Sequence, residues 1–94
     1  MSFYNFETKD EQIFKDQRPE LYKFFQDELA RLCLNKNVSV DSFRFNQVLG
    51  YDSPIGQCYE VSYGNPYAYG MTAYLECHLQ DSEFITDNFN LGNT

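Results

Sequence analysis

His78 is the only histidine of this 94-residue chain, and it stands beside one of three cysteines, Cys33, Cys58 and Cys77. A thiol next to an imidazole invites a nucleophile–base reading, in which the imidazole takes the thiol proton. Both residues lie in an alternating run, Tyr67–Leu79. Neighbours on a strand point to opposite faces, so Cys77 and His78 do not converge. A core thiol and a surface imidazole are the expected roles. Zinc asks for Cys-x₂₋₄-Cys spacing, and Cys58 and Cys77 are far outside it. No metal and no cofactor is expected. Neither Gly-x-Gly-x-x-Gly nor Gly-x-x-x-x-Gly-Lys occurs, so no loop of backbone amides cradles a phosphate. Asp81 and Glu83 could form an acid–base or Ca²⁺-binding pair, but no further group converges on them, and a solvated turn is the plainer reading. The chain is not expected to be an enzyme.

Its acids are more telling. The formal charge is −7, from 14 acidic and 7 basic residues. Six of the bases (Lys9, Lys15, Arg18, Lys23, Arg31, Lys36) fall in the first forty residues, which are nearly neutral. After them come Asp41, Asp52, Glu60, Glu76, Asp81, Glu83 and Asp87 with one base, Arg44. Such asymmetry points to a polarised surface. It argues against direct binding to nucleic acid, which needs clustered Lys and Arg. Carboxylates two residues apart on an extended chain are roughly 6.6–6.8 Å apart, on the order of phosphate spacing in a nucleic-acid strand. Six of the eight tyrosines follow Gly50. Tyr supplies rigid contact area with a polar tip, as interfaces use it, although it is also simply a good strand former. Tyr51 and Tyr74 are the ones expected to face water.

The elements that position these residues change character near Val38. Before it, Thr8-Lys-Asp-Glu11 fits a capping box ahead of Ile13 and Phe14. Arg18-Pro19 breaks that helix, and Pro19 opens a second one. Leu21, Phe25, Leu29 and Leu32-Cys33 recur at three- and four-residue steps, an amphipathic stripe ended by Asn35-Lys36-Asn37. Asp27 and Arg31 are placed to pair on its wet side. After Val38 the period becomes two, in Phe43–Gln47, Gln57–Tyr63 and Tyr67–Leu79, with a loop at Gly50–Gly56, a turn at Gly64-Asn65-Pro66 and a bend at Gly70. Phe84-Ile85 with Phe89 fits a strand or a helical turn equally well.

The expected fold is therefore α+β, one domain over residues 1–94. Two N-terminal helices (about 6–36) pack on one face of a small antiparallel meander of three to four strands (about 38–79), followed by a tail, 80–94. Phe43, Phe45, Tyr59, Val61, Tyr63, Tyr69 and Met71 would share the covered face. Arg44, Asn46, Glu60, Ser62, Thr72, Tyr74, Glu76 and His78 would share the open one.

The first residues carry neither a basic nor an apolar signal region, no run approaches a membrane span, and the odd, widely spaced cysteines suit a reducing compartment. A cytoplasmic location without membrane contact is expected. The working expectation is a small non-enzymatic inhibitor or immunity-type protein. It would present Asp52, Glu60, Tyr74, Glu76, Asp81, Glu83 and Asp87 to a basic, nucleic-acid-handling protein and block its nucleic-acid path. Phage anti-restriction and anti-CRISPR proteins, and immunity proteins against nuclease toxins, share this short, acidic, motif-poor profile, an analogy of class alone. One alternative is an accessory subunit pairing through its open sheet face or edge strand. Another is a small-molecule domain with a pocket between helices and sheet. The oligomeric state stays open.

Overall fold

The computed structural model describes residues 4–66 and 71–93. Its elements run β1 (Tyr4–Thr8), α1 (Glu11–Gln17), α2 (Pro19–Asn35), a 3-10 turn at Val40–Ser42, β2 (Arg44–Ser53), β3 (Gly56–Gly64), β4 (Met71–Gln80) and β5 (Glu83–Asn93). The α+β class stands, but the expected three to four strands become five, in one antiparallel sheet of order β1-β2-β3-β4-β5. β1 forms where a helical approach was expected, and β5 fills most of the ambiguous tail. The loop expected at Gly50–Gly56 is mostly strand, and only Pro54 and Ile55 stand between β2 and β3. Tyr67, Tyr69 and Gly70 lie outside the described residues.

α1 is capped by Asp10, not Thr8. The Asp10 carboxylate accepts from the amides of Gln12 at 2.9 Å and Ile13 at 3.2 Å, satisfying two orphan donors of the first turn. Thr8 Oγ1 accepts from the Asp10 amide at 3.0 Å, tying the strand end to the cap. Arg18 ends α1 and caps α2, with Pro19 in the first turn where its missing amide costs nothing. Leu21, Phe25, Leu29 and Cys33 form the buried stripe of α2. Asp27 pairs with Lys23 at 3.0 Å, and Arg31 with Glu28 at 3.3 Å, in place of the expected Asp27–Arg31 contact.

The two helices share out the covered face: α1 lies against β1 and β2, α2 against β4 and β5. Phe14 meets Phe45 with ring centroids 5.6 Å apart, Phe24 meets Phe84 at 5.3 Å, and Phe25 meets Phe89 at 6.5 Å. Under them sit Val48, Val61, Tyr63, Ala73, Leu75 and Cys77, all buried. Each large side chain so buried contributes about 1.5–3 kcal/mol.

Three strands carry one extra residue each. The register shifts at Asn5 in β1, at Asn46 in β2 and at Asp87 in β5. Such a bulge moves every following side chain to the other face. In β2, Phe45 and Val48 both reach the core because Asn46 lies between them.

Candidate functional site

β3 and β4 alternate as expected. Tyr59, Val61 and Tyr63 go to the core with Ala73, Leu75 and Cys77. Glu60, Ser62, Thr72, Tyr74, Glu76 and His78 point to the opposite face, on which no described element packs. Register then decides who meets whom. Glu60 lies directly opposite Glu76, Ser62 opposite Tyr74, and Cys58 opposite His78. Facing side chains of antiparallel strands have Cβ atoms about 4.5–5.5 Å apart. Two carboxylates thus share the middle of the sheet.

Tyrosines brace that pair. Tyr51 Oη donates to Glu60 Oε1 at 3.2 Å, and the Tyr74 hydroxyl also donates to the Glu60 carboxylate. Asn88 Nδ2 reaches Glu76 Oε1 at 3.4 Å. Burial first, then the charge of Glu60, pushes the Tyr51 phenol up to about 12. Tyr74 is raised by the same two causes, with the charge of Glu76 added. Both phenols stay protonated donors at neutral pH.

The bulge in β5 brings in a further acid. Asp87, the extra residue, holds His78 Nδ1 between its two oxygens at 2.8 and 3.0 Å. The other ring nitrogen of His78 lies 3.3 Å from Gln80 Oε1. The convergence rejected for Cys77 is thus replaced by an unforeseen neighbour, since Cys58 faces the same side as His78. Cys58 Sγ, however, sits 3.1 Å from Ser53 Oγ and donates to the Gly56 carbonyl at 3.8 Å, while the imidazole is taken by Asp87 and Gln80. The thiol fastens the β2–β3 turn and the imidazole fastens the bulge. All three cysteines are free and buried. Burial raises Cys33 and takes Cys77 up to about 12.

The structure divides the seven expected site residues. Glu60, Tyr74 and Glu76 stand together, and Asp87 adjoins them through His78. Asp81 and Glu83 are exposed at the β4–β5 hairpin, past the end of that row. Asp52 leaves the group. Following Val48 and Gly50 on the covered side, it accepts from Asn5 Nδ2 at 2.9 Å. Tyr51 belongs with the cluster, and Glu7, opposite Leu49, stands on the same side two strands away from Glu60. Asn88 was missed, and its only signal was the asparagine-rich stretch after Asp87.

Two hollows lie away from this face's centre. Arg44, Asn46, Gly64, Asn65, Pro66, Met71 and Thr72 line one of about 280 Å³ at the far end of the sheet. The other, also about 280 Å³, lies where the α1–α2 junction meets Tyr59, Leu79 and Phe84. Ligand pockets usually span about 300–1,000 Å³, so neither offers generous room. Among the described residues no cluster of three or more His, Cys, Asp or Glu side chains is arranged to hold a metal, and no helix is long and apolar enough to cross a membrane. No family model, no curated protein and no solved structure matches this chain.

Proposed function

We propose that this chain is a non-enzymatic inhibitor or immunity-type binding protein of the cytoplasm. It lays its uncovered sheet face on a basic, nucleic-acid-handling protein and so blocks the nucleic-acid path. The observation that carries the reading is the opposed pair Glu60 and Glu76 on an uncovered face, flanked by Tyr51 and Tyr74. Like charges directly opposite destabilise a sheet, and solubility alone could be met by carboxylates placed apart. Every lysine lies within residues 9–36, the helical side, so the field across the molecule has one direction. That field orients approach to a basic groove and speeds encounter. The tyrosines then supply contact area that slows escape.

The test starts with capture of partners from a host lysate and elution by salt. The captured protein is given labelled nucleic acid, and this chain is added as competitor. The wild type should displace the nucleic acid, and Glu76→Lys should lose at least tenfold in that competition. Displacement by both proteins alike, or by neither, rejects the reading.

A further inference from the structure

β5 is the last strand in the sheet order, so one of its edges has no strand beside it among the described residues. It is 11 residues long and holds neither lysine nor proline, the residues that usually guard such an edge. β1, the opposite edge, has only 5 residues and is followed at once by Lys9. The bulge at Asp87 interrupts β5 early. Beyond it the pairing runs unbroken, from Asn88 opposite Glu76 to Asn93 opposite Met71.

The two sides of this stretch differ in chemistry. On the helix side, Phe89 and Leu91 are half-buried, and the equally half-buried Phe24 lies 6.1 Å from the Phe89 ring. The core ends there in an apolar rim. On the open side stand Asn88 and Asn90, with Asp87 beside them and Glu76 one strand further in. Strands lie about 4.7–4.9 Å apart, so Glu76 is about 9–10 Å from any strand added to β5. An extended lysine and a glutamate side chain together span that gap.

We infer that β5, along Asn88–Asn93, takes up an extended segment of a partner protein in which apolar residues alternate with Lys or Arg. The main chain of that segment pairs with the free edge, its apolar side chains close the rim at Phe24, Phe89 and Leu91, and its cations lie toward Asp87 and Glu76. Strand addition of this kind draws affinity from backbone hydrogen bonds and specificity from alternate side chains. A second copy of β5 fits less well, since the strand brings no base to lie toward Asp87 and Glu76. The inference rests on the proposed function for the sign of the partner's charge, and adds where its backbone binds.

The test titrates isotope-labelled protein with a synthetic peptide of alternating Val and Lys at millimolar concentration. The controls are a Val/Glu peptide and two Val/Lys peptides N-methylated along one edge or the other. Saturable binding should slow amide exchange at alternate positions of Asn88–Asn93 by tenfold or more. Val/Glu should bind at least tenfold more weakly, and one methylated peptide should fail while the other binds. No protection in β5, equal protection by Val/Glu, or β5 protection from self-association without peptide overturns the inference. Glu60 lies two strands in from β5, beyond the peptide's reach. Glu60→Gln therefore leaves this protection unchanged, while weakening nucleic-acid displacement if the face itself is the inhibitory surface. The two claims can thus fail separately.

Discussion

At the scale of single residues, burial and Glu60 act together on two tyrosines. Burial first, and after it the charge of the Glu60 carboxylate, raises both the Tyr51 and the Tyr74 phenol. A phenol raised in the fold above its ordinary value of about 10 favours the folded state while protonated. That contribution is whole below pH about 10 and is lost as the pH climbs toward the folded value, which for Tyr51 is about 12. Stability should therefore hold through neutral pH and fall across that alkaline window. Glu60→Gln keeps an acceptor and removes the charge, so part of the late tyrosinate absorbance should move to lower pH. An unchanged titration curve would place the cause in burial alone. Tyr63 makes the opposite case. Its hydroxyl is buried in the core without a hydrogen-bond partner, and burial, first among the causes, raises it. An unpaired buried hydroxyl costs about 1–3 kcal/mol. Tyr63→Phe should accordingly stabilise the fold by about 1 kcal/mol, read as a higher midpoint of urea unfolding.

At the scale of elements, two turns carry the strain. Asp81 and Ser82 hold the β4–β5 hairpin with φ of 52° and 66°, the left-handed conformations of a tight two-residue turn. Asp tolerates this better than Ser, and such a backbone costs a non-glycine residue roughly 1–2 kcal/mol. Ser82→Gly should stabilise by about 1 kcal/mol in equilibrium unfolding. Gly56, at φ 120°, begins β3 with the Leu79 carbonyl 2.9 Å from where a Cβ would stand, so Gly56→Ala should destabilise and loosen the turn that holds Cys58. Local pattern showed some elements and hid others. The stripe Leu21, Phe25, Leu29, Cys33 and the alternation Ala73, Leu75, Cys77 were legible because nothing interrupts their periods. β5 was hidden because Asp87 adds a residue between Thr86 and Asn88, so that Phe84 and Phe89, five apart, both face the core. β1 was hidden because Thr8-Lys-Asp-Glu11 imitates a cap, whereas Asp10 is the residue whose side chain reaches the free amides. The bulge at Asn5 had no signal at all. That Glu60 and Glu76 share the open face followed from the alternation, but their direct facing, like that of Cys58 and His78, needed the full register.

At the scale of the whole molecule, charge is divided between two layers. The helical layer carries all the lysines, and the sheet presents Glu7, Glu60, Glu76 and Asp87 on its open side with Arg44 at one end. Reversing Glu76 should hardly touch the fold. It removes a like-charge contact with Glu60 and offers an opposite one, a change of a few tenths to about 1 kcal/mol in favour of the folded state. Tyr74→Ala should act after encounter, speeding dissociation rather than slowing association. The central claim, that the acidic sheet face guides this protein onto a basic partner, is tested most directly by the association rate with the salt-eluted partner at low and high ionic strength. For the wild type the rate should fall steeply with salt, because charges separated by more than about 10 Å are screened at 0.1 M. Glu76→Lys should associate at least tenfold more slowly at low salt and show a flatter salt dependence. Equal rates for the two proteins at low salt would contradict the claim and reduce the face to a solvated surface.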